Sequence, residues 1–191
     1  MTKSVMLAGV GGQGTILASK ILTIGLMEAG YDVKMNEIHG MSQRGGAVTS
    51  EVRYSKDKVY SPTIERGEAE MLVAFEKMEA LRRLESLKPG GKIVVNNYRI
   101  NSVASITQDL DYKEDEVDEE LKSLNAVFID AAEEAKKLGN AKVMNIILLG
   151  TLIKGMNLTS VNWEEIIRKN VKEKFIDINI EALKLGMNLI D

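Results

Sequence analysis

Val5-Met6-Leu7-Ala8 is apolar at successive positions, so Ser4 to Val10 is expected to be a strand covered on both faces, as in a parallel sheet. The period then changes. Ile16, Leu17, Ile21, Leu22, Ile24, Leu26 and Met27 recur at helical spacing as far as Gly30, a residue suited to ending a helix. Asp32 to Ile38 reads as a second strand, completing a βαβ unit with a right-handed crossover. Ala47 to Tyr54 alternates and is β-branched, which predicts a third strand, and Val59-Tyr60-Ser61 is expected to be a short return strand ended by Pro62. Glu70 to Phe75 and Lys92 to Asn96 are further strands. Between them a helix is expected through Leu87, with Met78, Leu81 and Leu84 on its apolar face and Pro89-Gly90-Gly91 stopping it. From Asn97 to about Leu110 no period is clear.

Ala126 to Ile129 is expected to be the last strand. A helix ending at Gly139-Asn140, a very apolar helix over 143–153 and a short helix capped by Asn162 follow, with Trp163 packed at the start of the short one. The final helix is expected to turn Phe175, Ile178, Leu183, Leu185 and Leu189 to its apolar side. Strands alternating with helices predict an α/β fold. The whole chain, 1–191, is expected to be one domain, with 155–191 a helical extension packed on it.

The first strand runs into Gly9-Val10-Gly11-Gly12-Gln13-Gly14 and then directly into the first helix. Glycines let a backbone take positive φ and approach another group closely, and a helix N-terminus beside them offers unpaired amides and a positive dipole end to an anion such as a pyrophosphate. The alternative is a tight crossover that binds nothing. A dinucleotide fold also wants an acid at the end of the second strand, about 20 residues past the glycines; Glu37, 23 residues beyond Gly14, is slightly late for that part. His39-Gly40-Met41-Ser42-Gln43-Arg44-Gly45-Gly46 is too polar and glycine-rich for a core element, so it is expected to be a loop on the same sheet edge as the Gly9 turn. There Arg44, Gln43, Ser42 and the sole histidine, His39, suit a phosphate or carboxylate. The alternatives are Arg44 paired with a neighbouring acid and His39 as an ordinary loop residue. Asp130 is expected on the same edge.

Composition narrows the choice. The chain has 191 residues, 45% hydrophobic and 28% charged, the balance of an ordinary globular protein. Residues 1–95 carry 13 basic and 11 acidic side chains and residues 96–191 carry 12 and 17, for net charges of +2 and -5. No basic face argues for nucleic acid. Between Asp109 and Glu120 there are eight acidic residues and one lysine, read as a solvated helix or loop rather than a metal site, so no metal is expected. With no signal-peptide pattern, and with the longest apolar run broken by Gly150, no membrane association and a cytoplasmic location are expected. No cysteine is present, which excludes disulfides, thiolate catalysis and cysteine-ligated iron–sulfur clusters on this chain.

The Gly9 turn, the loop from His39 to Gly46, the strand ending Val127-Phe128-Ile129-Asp130 and the following Ala135-Lys136-Lys137-Leu138-Gly139-Asn140 together resemble the gamma-type subunits of 2-oxoacid:ferredoxin oxidoreductases. The form of the 39–46 loop is most similar to the small beta subunit of the indolepyruvate-type enzymes. The resemblance implies a Rossmann-like three-layer sandwich with a mostly parallel sheet and C-terminal helices. It also implies an incomplete enzyme, inactive alone, belonging to a complex that oxidatively decarboxylates a 2-oxo acid to an acyl-coenzyme A and passes electrons to ferredoxin. Thiamine diphosphate and iron–sulfur clusters then sit on a larger, cysteine-rich partner. Coenzyme A is the cofactor implied for this chain, carried over onto Gly9, Gly11, Gly12, Gln13, Gly14, Ser42, Gln43, Arg44 and Gly45. His39 and Arg44 are the candidates for a part in the reaction. Pyruvate- or 2-oxoglutarate-type gamma subunits, a free-standing dinucleotide-binding Rossmann protein and a non-catalytic assembly subunit are the other readings.

Overall fold

The apolar run at the N-terminus forms β1 (Lys3–Val10), buried at every position from Ser4 on. Val5 and Leu7 enter the larger hydrophobic core, whereas Met6 and Ala8 enter a smaller one on the reverse face. Alternate side chains of a strand point to opposite faces, so a strand apolar throughout belongs between two layers. The computed structural model describes residues 1–40, 45–100 and 113–190.

With β2 (Asp32–His39), β3 (Ala47–Ser55), β4 (Ala69–Ala74), β5 (Leu87–Asn96) and β6 (Val127–Ile129), β1 forms a six-stranded sheet in the order β2-β3-β1-β4-β5-β6. The ladders β1/β4, β4/β5 and β5/β6 are parallel. β3 is antiparallel to both β1 and β2. The expected βαβ unit is therefore present in altered form: β1 and β2 run the same way, but β3 lies between them. An antiparallel return needs only a short connection, which residues 40–46 supply, whereas a parallel neighbour needs a full crossover.

Helices cover both faces. α1 (Thr15–Glu28), α5 (Met144–Gly155), α6 (Trp163–Asn170) and α7 (Ile176–Asn188) share the larger core through Ile21, Leu22, Ile147, Trp163, Ile167 and Leu183. α4 (Ala131–Lys137) joins them through Ala131 and Ala135. α2 (Lys77–Arg82) and α3 (Glu114–Ser123) close the other face with Ala80, Val117 and Leu121. Trp163 packs at the start of α6 as expected, its indole N–H donating to the Leu158 carbonyl at 2.8 Å. Asn162 caps that helix by accepting from the Glu165 amide. No helix among the described residues is long and apolar enough to cross a membrane.

Three expected elements differ. Val59–Ser61 is not a strand; the Val59 amide donates instead to the Asp32 carboxylate at 2.7 Å, which removes it from any ladder. The helix expected through Leu87 ends at Arg82, a 3₁₀ turn takes Leu84–Ser86, and β5 already begins at Leu87. Pro89-Gly90-Gly91 falls in an irregular part of the β4/β5 ladder, where Ala69 pairs with Leu87 but Met71 with Lys92. The register steps two residues on β4 against five on β5 there, an irregularity of the bulge kind, the place where a sheet tolerates Pro and Gly. Phe175 lies in a 3₁₀ turn ahead of α7 and is 37% exposed, not on its apolar side. Ile16, Leu17 and Met27 also depart from the buried face of α1, at 42%, 40% and 59% exposure.

The acidic segment has a structural use in α3. Lys77, only 3% exposed, donates to Glu114 at 2.8 Å and to Asp118 at 3.0 Å, tying α2 to α3. Burial opposes the charge on Lys77, but its bonds to Glu114 and Asp118 outweigh it and hold the ammonium pKa above its ordinary value. The bond from Lys77 holds the Glu114 carboxyl below the usual glutamate range. Stability from Glu114 is therefore present above its unfolded pKa, roughly 4, and is lost as pH falls through the lower folded value. For Lys77→Met we expect a loss of roughly 1–3 kcal/mol from the missing charged hydrogen bonds. Amide exchange at Val117 and Leu121 should then be fast at neutral pH and lose the acid dependence expected of the native chain. Native-like protection at those amides would show that the lysine does not hold α3.

Candidate functional site

At the carboxyl end of β1 the chain must leave the sheet and enter α1 within a few residues. Gly12 (φ 100°) and Gly14 (φ 84°) take left-handed backbone to do so. A side chain at Gly9 would collide with Phe75, its Cβ 2.9 Å from the phenylalanine Cβ. Gly14 has equally little room, because a Cβ there would lie 2.6 Å from Asn145 Nδ2. Gly12 differs: its Cβ would meet no atom of the described residues within 4 Å, so among them the turn is open at that point. α1 has no side-chain cap and no acidic residue in its first turn. Its N-terminal amides and positive dipole end are thus not neutralised by its own side chains, the arrangement that accepts an anion.

The second loop meets the first. Gly11 N–H donates to the Gly46 carbonyl at 2.9 Å, and Val10 pairs with Ala47 as β3 begins. The Gly40 amide donates to the Ala47 carbonyl at 2.8 Å, so the link from β2 starts and ends on this edge. Gly45 has φ 77°, and no atom of the described residues lies within 4 Å of where a Cβ would stand. Ser42, Gln43 and Arg44 lie outside the described residues. His39 is at the end of β2, its Nε2 3.6 Å from the Glu37 carboxylate. Asp130 reaches the same edge from β6 and accepts from Asn97 Nδ2 at 2.8 Å.

Two expectations change here. Glu37 does not stand beside the glycine turn, because β3 separates β2 from β1; the acid that a dinucleotide fold places next to the ribose has no counterpart at that position. Gln13 has its amide engaged with the backbone: its Oε1 accepts from Val10 N–H at 2.7 Å and its Nε2 donates to the Phe75 carbonyl at 2.9 Å. It braces the turn against the end of β4.

Sequence reasoning missed Asn96 and Asn145. Asn96 ends β5 fully buried and donates to the Phe75 carbonyl at 3.2 Å; Asn145, in the first turn of α5, donates to the Gly14 carbonyl at 3.2 Å. The available signal was a lone amide within the apolar run at Asn145 and an amide pair, Asn96-Asn97, closing the apolar run of β5, a residue type that a core keeps only where it has a hydrogen-bonding partner. The exposed Ile16, Leu17 and Ile38 flank the same edge from α1 and β2. At the opposite, amino ends of β4 to β6 lies a cleft of about 1010 Å³ lined by Leu87, Lys88, Lys92, Val127 and Leu189, well away from the glycine loops. Among the described residues no three His, Asp or Glu side chains converge as a metal site would require.

Residues 4–189 match the family described as pyruvate ferredoxin/flavodoxin oxidoreductase. The indolepyruvate oxidoreductase subunit IorB of Thermococcus kodakarensis is 36% identical over 96% of this chain and 94% of that protein. The gamma subunit of a keto/oxoacid ferredoxin oxidoreductase from Geobacter sulfurreducens has the same fold, with a TM-score of 0.71 at 23% identity over 98% of this chain and 95% of that one. A 2-oxoglutarate:ferredoxin oxidoreductase from Magnetococcus marinus, solved with 2-oxoglutarate, coenzyme A and succinyl-CoA bound, gives a TM-score of 0.73 at 18% identity. This chain corresponds to 98% of its own length there but to 31% of the larger polypeptide.

Proposed function

The chain belongs to the pyruvate ferredoxin/flavodoxin oxidoreductase family, and on that footing we propose that it is the gamma-type subunit of a cytoplasmic, indolepyruvate-type 2-oxoacid:ferredoxin oxidoreductase. In this reading it is one domain with residues 155–191 as a packed helical extension, and it has no activity alone. A chain without cysteine supplies no thiolate ligands for iron–sulfur clusters. Those clusters therefore belong to a larger partner, and the family resemblance implies that the same partner carries thiamine diphosphate and selects the 2-oxo acid. Coenzyme A, when bound, supplies the thiol that receives the acyl group, and electrons leave to ferredoxin.

This chain's own part is to hold an anionic segment of coenzyme A, its diphosphate, against the glycine turn. The observation that carries this is the Gly11–Gly46 hydrogen bond, which brings two glycine loops to one sheet edge beside an uncapped helix N-terminus. Gly9 and Gly14 keep the turn close to its supports, Gly12 and Gly45 leave it open, and Gln13 braces it. Arg44, with Ser42 and Gln43, supplies charge and hydrogen bonds from the second loop. In the complex assembled with its partner, Arg44→Ala should weaken coenzyme A about ten- to hundredfold, as loss of a charge-assisted hydrogen bond does. Unchanged coenzyme A binding together with unchanged turnover would remove Arg44 from the site.

A further inference from the structure

We propose that Asn145 and Asn96 are positioning residues of the glycine turn, setting the direction in which its outward amides meet the coenzyme A diphosphate; this rests on the coenzyme A reading above. Two backbone carbonyls each accept two donors at this edge. Gly14 O closes the first turn of α1 by accepting from Ala18 N–H at 3.2 Å, and Asn145 Nδ2 gives the same oxygen a second donor, also at 3.2 Å. Asn145 reaches it through the space that any side chain at position 14 would fill, so glycine there and asparagine opposite are matched. Phe75 O likewise receives two amides, from Gln13 at 2.9 Å and from Asn96 at 3.2 Å, while Phe75 N–H is fixed to the Ala8 carbonyl at 2.7 Å.

The two asparagines act on one unit. Asn96 Nδ2 also lies 3.2 Å from Met144 Sδ, and Met144 precedes Asn145 in α5. Since both contacts of Nδ2 are to acceptors, the side chain's orientation is settled by its partners. The end of β5, the start of α5 and residues 10, 13 and 14 of the turn are thus tied through side-chain amides, those of Asn96 and Asn145 buried and that of Gln13 partly so, with Asn96 Oδ1 itself buried and unpartnered among the described residues. Neither asparagine carries charge. Each holds the backbone that holds the ligand, the supporting layer on which a precise site depends.

The test uses the complex assembled with its partner subunit, with coenzyme A as the probe. Asn145→Asp and Asn96→Asp keep the shape and lose the donor; Asn145→Ala and Asn96→Ala lose it without adding charge and serve if the acidic variants do not assemble. For a variant that assembles, the KM for coenzyme A is expected to rise about tenfold, by a larger factor than kcat falls, with the KM for the 2-oxo acid within about twofold of native. A change in kcat alone, or in both KM values equally, would show a merely structural role and overturn the inference. If coenzyme A binding is native in the asparagine variants but weakened by Arg44→Ala, the inference falls and the site reading stands. If Arg44→Ala is also without effect, both fall.

Discussion

Gly186→Ala is expected to destabilise the chain by about 3 kcal/mol, the upper range for overpacking a core. For a domain of this size that is a fall in melting temperature of roughly 6–12 °C. A Cβ at Gly186 would stand 1.9 Å from the Ile147 carbonyl oxygen, and the obstacle is main chain, which no rotamer change removes. The reciprocal contact is as close, with a Cβ at Gly150 only 2.5 Å from the Leu183 carbonyl oxygen. α5 and α7 therefore meet backbone to backbone through one glycine on each. Alanine returns about 1 kcal/mol of helix propensity at such a site, which the clash exceeds. The pair also explains why α5 is apolar nearly all round: eleven of its residues are buried, between the sheet on one side and α7 on the other. Denaturant and thermal melts of the purified chain measure the change. A native melting temperature for Gly186→Ala would mean the helices do not approach so closely.

This crossing shows what a single sequence conveys and what it withholds. The strand–turn–helix at Ser4 to Met27 was legible because a change of period from continuous to helical is local, and so was the cap at Asn162, whose partner is three residues away. The shared edge of the two glycine loops followed from topology alone, and the Gly11–Gly46 bond is its physical expression. The insertion of β3 between β1 and β2 was not legible, because strand order is decided by pairing across the sheet rather than by any pattern within a strand. Asn145 was hidden for the same reason, its acceptor lying 131 residues earlier. Ile16 and Leu17 lie in the same first turn as the buried Thr15, Ala18 and Ser19 but on the outward face of α1, where the buried period of the helix does not reach. Periodicity identifies an apolar position; it does not say whether this chain or another covers it.

Gly12→Val should have the largest effect on activity with a modest effect on the fold. The position has φ 100°, which a β-branched residue adopts only with strain of about 1–3 kcal/mol. That cost is local, since a Cβ there meets nothing within 4 Å among the described residues. The added methyl groups therefore lie over the open side of the turn, where the diphosphate approaches the backbone in the proposed coenzyme A reading. In the assembled complex, coenzyme A-dependent turnover is expected to fall by at least about a hundredfold, equivalent to roughly 2.7 kcal/mol of lost transition-state stabilisation. Gly12→Ala, smaller in bulk, should fall between this variant and the native chain. Two measurements separate the causes. Co-purification with the partner reports assembly, and titration with coenzyme A reports the ligand. Intact assembly with lost coenzyme A binding assigns the open side of the turn to the ligand, whereas lost assembly assigns it to the partner's surface. Native turnover in Gly12→Val would mean that nothing approaches the turn at Gly12, and the diphosphate would have to be placed elsewhere on the complex.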